Sequence, residues 1–285
     1  MADNMQGQHV VITGATTGIG RASARELARR GASVSLLCRN PQKADELCEE
    51  IVADGSARPR VVVVDLASLA SVRTAAQALL DSGDAIDVLL NNAGVVNTSR
   101  NETVDGFEET LAVNHFAPFL LTGMLLPLVL AADHGRIVNV ASHAHTFVRD
   151  MGFEDMHAEQ GYSTFKVYGR SKLANILFTR ELARRLDGTG VTVNSVHPGA
   201  VSTGLGTQNG WLGRTLPRLL RPFFRTPEKG AETSIYLACS DAVADTSGEY
   251  FVDCRARKTK PWARDMDAAA RLWQYTEEAV GFTYA

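Results

Sequence analysis

The stretch TGATTGIG, residues 13–20, sets Gly14, Gly18 and Gly20 between an apolar run, HVVITG (9–14), and a helical pattern, RASARELARRG (21–31). A strand that turns this tightly into a helix leaves few folds open. Glycine permits the sharp turn and lets another group approach the backbone closely. The helix start behind it offers free N–H groups and a partial positive charge to an anion. Thr16, Thr17 and Ile19 complete the turn. With a strand before and a helix after, the motif predicts the pyrophosphate-binding turn of a dinucleotide fold.

The rest of the chain repeats the alternation. SVSLLCR (33–39), RVVVVDL (60–66), IDVLLNNAG (86–94), GRIVNVAS (135–142), VTVNSVHPG (191–199) and GEYFVDC (248–254) read as strands with their exits. RVVVVDL is continuously apolar, as a strand buried on both faces should be. Helical stretches lie between, one from Pro41 to about Asp54 and one with Ser68 as its N-cap. This pattern predicts an α/β fold, a Rossmann-type doubly wound parallel sheet with helices on both faces. No low-complexity linker or internal repeat divides the chain, so residues 1–285 read as a single domain. Three segments stand outside the alternation: an insertion at about 143–161, a stretch at about 200–227, and a tail at about 255–285 that opens basic and then turns helical.

A net charge of -3 argues against a nucleic-acid partner. Cys38, Cys48, Cys239 and Cys254 are too scattered for a zinc or redox site, and read as thiols of a reducing compartment. The N-terminus is polar, which predicts a cytoplasmic protein. The apolar run 116–132 contains Pro118 and Pro127 and reads as a long buried helix rather than a membrane span.

Dinucleotide sites place a discriminating residue about 20 positions past the glycines. An acid there would bind the ribose hydroxyls of NAD. Here the position holds Arg39, whose guanidinium suits a 2′-phosphate, with Arg21 as a second charge. The expected cofactor is NADP(H).

With TGATTGIG, NNAG (91–94), a Tyr168–Lys172 pair and HPGAVST (197–203) in that order, the chain resembles the short-chain dehydrogenase/reductases over roughly residues 9–254. CRN after the second strand, the long insertion and YGRSKLAN look most like the retinol-dehydrogenase-like branch. The resemblance implies a catalytic set of Asn114, Ser142, Tyr168 and Lys172. It places Asn92, Ala93 and Gly94 on the adenosine side of the cofactor, Asp65 and Leu66 near the adenine, and Pro198, Gly199, Val201 and Thr203 along the nicotinamide. Tyr168 and Lys172 contact the cofactor as well. In this scheme Tyr168 moves a proton to or from the substrate oxygen, Ser142 orients that oxygen, Lys172 holds the nicotinamide ribose, and Asn114 anchors a water leading to solvent. A tyrosine is a poor base near neutral pH, and lowering its pKa by about 3 units takes about 4 kcal/mol. Lys172 and the positive nicotinamide are the expected sources. A homo-oligomer is also implied.

A second pair, Tyr162 and Lys166, has the same spacing. On one helix the two tyrosines would point about 120° apart, so both cannot serve one site. Tyr168 leads into the sustained amphipathic pattern YGRSKLANILFTRELARRL, and small Ser171 and Ala174 flank its lysine. The choice falls on Tyr168. The 26 positions from Ser142 to Tyr168 are about twice the usual family gap, and the insertion fills them. Its His143 and His145 read as loop histidines, with no third ligand for a metal.

The segment 211–225 spaces Arg214, Arg218, Arg221 and Arg225 along one side and apolar residues along the other. It reads as a lid over a lipophilic substrate, such as an aldehyde or a retinoid-like or steroid-like ketone, with weak contact to a membrane surface as a further role. A polar or carrier-bound 3-oxoacyl substrate is the rival enzyme reading. A cofactor-binding regulatory protein without turnover is the rival of another class, and the intact tetrad stands against it.

Overall fold

The computed structural model describes residues 4–201 and 225–284. Strands β1 (His9–Thr13), β2 (Ser33–Cys38), β3 (Arg60–Val63), β4 (Val88–Asn91), β5 (Arg136–Val140), β6 (Thr192–His197), β7 (Tyr250–Val252) and β8 (Arg255–Ala256) form one sheet. Its order is β3-β2-β1-β4-β5-β6-β7-β8. All neighbours are parallel except β7 with β8. The order reverses between β1 and β4, which opens a crevice at their carboxyl ends, where ligands bind in such sheets.

The strands are apolar on both faces because helices cover both. Val10, Ile12 and Leu36 pack into one core with helices α1 (Gly18–Arg29) and α2 (Pro41–Ala53). Val11 and Leu37 point the other way, into a core shared with α3 (Leu69–Leu80), α4 (Glu109–Leu130) and α5 (Thr164–Arg185). Each fully buried Leu or Phe stabilises by roughly 1.5–3 kcal/mol. Helix α6 (Pro227–Cys239) closes the first face and α7 (Met266–Val280) the second. Local chemistry sets the starts. Asn40 caps α2 by accepting from Lys43 N at 3.0 Å, and Ser68 caps α3 as its sequence predicts.

Helix α4 is the long apolar run, and most of it is buried within the fold. Its residues Ala112–Phe116 form a π turn, a local widening that is frequent at functional sites, and this turn carries Asn114. The tail packs on the fold. Trp273 of α7 lies edge-on to Phe119 with ring centroids 4.9 Å apart, and Arg185 sits 4.1 Å over its ring.

Three expectations change. Strand β3 is an edge strand, not buried on both faces, and Val63 is 56% exposed because among the described residues no strand pairs beyond it. The run 248–254 holds only the short strand β7, turns at Asp253 and Cys254 with φ 50° and 56°, and is followed by the antiparallel β8. Neither is glycine, so the turn has no usual signature. Helix α5 begins at Thr164, so Tyr162 stands outside it and the helical-phase argument does not reach that residue.

The two ends of the excursion after β6 meet. Arg225 N donates to Ala200 O at 2.8 Å, Val201 and Arg225 form a parallel bridge, and the Arg225 guanidinium pairs with Asp253. Thr203 and residues 211–224 of the expected lid lie outside the described residues.

Candidate active site

A cleft of about 860 Å³ opens at the carboxyl ends of β1, β2, β4, β5 and β6. The glycine turn forms its floor. Gly14 has φ +66°, and a Cβ there would meet Ala93 Cα at 2.9 Å. A Cβ on Gly20 would collide with the Asn92 amide and the Gly14 carbonyl. These two glycines therefore let the turn seat against β4. Asn92 Nδ2 donates to Thr13 O at 2.9 Å, and Asn92 N and Ala93 N both donate to Thr13 Oγ1 at 3.0 Å. NNAG thus locks the exit of β4 to the exit of β1. Thr17 places no side-chain bond on the first turn of α1, so the N–H groups there remain directed at the cleft. Arg39 is exposed at the end of β2, lines the cleft, and pairs with no carboxylate among the described residues.

The expected residues Gly14, Thr16, Thr17, Gly18, Ile19, Gly20, Asp65, Leu66, Asn92, Ala93, Gly94, Ser142, Tyr168, Lys172, Pro198, Gly199 and Val201 all line this cleft. Two expected residues do not. Arg21 turns outward and pairs with Glu50 of α2, so it adds no charge to the cleft. Asn114 lies behind the wall. Its Oδ1 accepts from Val95 N at 2.8 Å, and its Nδ2 donates to Val95 O and to Ser171 Oγ, each at 3.0 Å. It braces the strand exit against α5; both Nδ2 hydrogens are used in these bonds, while Oδ1 has a second lone pair.

Tyr168 and Lys172 lie one turn apart on α5, with Nζ 5.6 Å from the tyrosine ring centroid. Lys172 Nζ donates to Val140 O at 2.9 Å. Burial pulls its pKa down to about 8. Burial also pushes Tyr168 up to about 12, opposed only by the Ser142 hydroxyl. The protein's own groups therefore do not supply the lowered tyrosine pKa that the sequence led us to expect. The ammonium is itself disfavoured by burial and is turned toward a carbonyl. Ser142 Oγ accepts from Ala144 N at 3.1 Å, which leaves its O–H free to donate.

Tyr162 is elsewhere. Its hydroxyl donates to Asn97 O at 3.1 Å, and it does not line the cleft. The duplicated spacing in GYSTFKVYGRSK thus resolves by position, and only the second pair reaches the cleft. Among the described residues no cluster of metal-ligating side chains appears, and His143 and His145 lie on the turn after Ser142.

Several cleft residues were not anticipated. Glu109 and Val113 lie one turn apart on α4, and Asn97 Nδ2 fixes Glu109 Oε2 at 2.8 Å. The i, i+4 spacing was visible, but nothing in the sequence said which face of α4 met the cleft. Phe147 and His197 are among the rest, and Phe147 is 53% exposed at the rim.

A tyrosine hydroxyl and a serine hydroxyl beside a glycine turn at a helix start form an arrangement suited to a hydride-transferring oxidoreductase. A model of the short chain dehydrogenase family matches residues 8–210. The chain is 47% identical to Retinol dehydrogenase 14 of Mus musculus, over 97% of this chain and 87% of that protein. It is 42% identical to Retinol dehydrogenase 12 of Mus musculus, over 98% of this chain and 88% of that protein. Among solved structures, an uncharacterized protein from Mycobacterium Paratuberculosis superposes with a TM-score of 0.79 at 31% identity, covering 100% of this chain and 97% of that one. A short chain dehydrogenase from Escherichia coli CFT073 complexed with NADPH superposes at 0.69 with 25% identity, covering 88% of this chain and 98% of that one. The chain belongs to the short-chain dehydrogenase family, in its retinol-dehydrogenase-like branch.

Proposed function

We propose that this oxidoreductase uses NADP(H) to interconvert a carbonyl and an alcohol on a lipophilic small molecule. The meeting of Ser142, Tyr168 and Lys172 with the glycine turn in one cleft carries the reading. The uncapped start of α1 suits a pyrophosphate, and Arg39 suits a 2′-phosphate. Asp65 and Leu66 would border the adenine, and Pro198, Gly199 and Val201 the nicotinamide. The bound cofactor supplies or accepts the hydride.

The chain's residues handle the proton. Tyr168, held neutral by burial, is the donor to the carbonyl oxygen in reduction. Ser142 Oγ donates a second hydrogen bond to that oxygen and fixes its direction. Lys172 lends positive charge behind the tyrosine and favours the phenolate left after transfer. In oxidation the same groups run in reverse. Apolar Val95, Val113, Ala144 and Phe147 on the cleft wall suit a lipophilic substrate, as do the names of the relatives. The test is NADPH consumption with a panel of aldehydes and ketones, retinaldehyde included; turnover of polar 3-oxoacyl compounds alone would overturn the substrate class.

Two outcomes are expected. Arg39→Ala should raise the Kd for NADPH by about 10- to 100-fold, since a charge-assisted bond contributes roughly 1.5–3 kcal/mol. The Kd for NADH should stay constant, and equal weakening of both would remove Arg39 from phosphate recognition. For reduction, kcat/KM should be level below pH 8 and fall above it. Lys172 carries its charge below about 8 and loses it above, while Tyr168, up at about 12, stays protonated throughout. Lys172→Met should abolish that basic limb, and a limb that survives it belongs to another group.

A further inference from the structure

Ser142 is held in place by a histidine with no part in the chemistry above. His145 Nδ1 donates to Ser142 O at 2.7 Å. A carbonyl only accepts, so Nδ1 bears the proton and the imidazole serves as a donor. The ring is 2% exposed and stands edge-on to Tyr250, centroids 5.3 Å apart. Burial lowers its pKa, in keeping with a neutral ring. His145 is itself gripped, because its carbonyl accepts from Trp262 Nε1 at 3.2 Å. Trp262 belongs to the turn Pro261–Arg264, beyond the last strand. Hydrogen bonds thus run from the C-terminal segment through His145 to the backbone of the serine, where the 2.7 Å ring bond reinforces a longer one of 3.3 Å from His145 N to the same Ser142 O.

Apolar packing alone would not call for a histidine here. Nε2 is buried without a hydrogen-bond partner among the described residues, which carries a cost that an aliphatic side chain would avoid. The Nδ1 bond is the return for that cost. No metal role competes, because among the described residues no metal-ligating cluster includes this histidine.

We propose that His145 is a positioning residue for Ser142, and that Trp262 completes the clamp from the C-terminal segment. The proposal rests on the reading of Ser142 as the group that orients the substrate oxygen. Misplacing such a group by about 1 Å costs on the order of 100-fold in rate.

The test compares His145→Leu, His145→Asn and Trp262→Phe in the full chain, with NADPH and retinaldehyde as probes. His145→Leu should lower kcat by about 10- to 100-fold, with KM and the NADPH Kd changed by no more than about two-fold. His145→Asn, whose amide can donate from nearly the position of Nδ1, should recover most of that loss. Trp262→Phe should lower kcat several-fold. If Asn is as impaired as Leu, the ring acts by packing and the proposal is wrong. Amide exchange over residues 142–148 gives a readout without turnover. It should be faster in Leu and Trp262→Phe than in wild type and Asn, and equal rates in all four would overturn the clamp. If wild type turns over no carbonyl, the functional reading fails while the exchange result still decides the clamp. If Leu does not fold, Asn and Trp262→Phe carry the comparison.

Discussion

Tyr168→Phe should reduce carbonyl turnover by about 10²–10⁴-fold, the usual range for removing a general acid. Phenylalanine keeps the ring and its packing, so NADPH binding and Tm should stay near wild type. Tyr162→Phe provides the contrast. It removes the bond to Asn97 O, worth about 0.5–1.5 kcal/mol of stability, and should leave kcat within about two-fold. Steady-state kinetics on both variants decides the matter. A collapse in Tyr162→Phe with Tyr168→Phe intact would move the chemistry out of the cleft altogether.

The largest stability effect should come from the tail. Trp273 is 2% exposed and meets Phe119, Phe178 and Tyr284, the last with centroids 4.5 Å apart. Truncation to alanine removes this cluster's central ring and opens a void where α7 meets α4 and α5. The expected cost is about 3–5 kcal/mol, or roughly 6–20 °C in Tm for a chain of this size. Trp273→Phe should recover most of it, because the indole Nε1 is buried with no hydrogen-bond partner among the described residues and removing it breaks no bond. Thermal unfolding followed by circular dichroism measures both. A loss under about 1 kcal/mol for alanine would mean that α7 is not an integral layer of the fold.

Much of the frame was legible because local chemistry and global topology agree. HVVITG followed by TGATTGIG and an amphipathic helix has few other solutions, and Ser68 marked a helix start from side-chain chemistry alone. Where sequence reading missed, a long-range fact decided. RVVVVDL is as apolar as a central strand, yet β3 lies at the edge because among the described residues no later strand returns to that side. Arg21 looked like a second cation for a phosphate, but Glu50 on the neighbouring helix takes it, a contact across 29 positions. Asn114 was legible as a residue type, but not as a brace behind the wall, because the π turn that aims it has no sequence signature. At Tyr168 the residues of the chain alone push the pKa up, because desolvation by the finished fold outweighs the Ser142 hydroxyl, and burial of this kind cannot be read from the Tyr–Lys spacing.

The meeting of Val201 and Arg225 bears on how such enzymes diversify. Their backbones are joined at 2.8 Å through Ala200, and the arginine is tied to Asp253 on the far hairpin. The chain after β6 therefore leaves and re-enters the described fold at one closed seam. Lengthening a loop with fixed ends costs only about 0.6 kcal/mol per doubling. Chain of another length joined between two ends fixed in this way need not disturb the strands and the helix that carry Ser142, Tyr168 and Lys172.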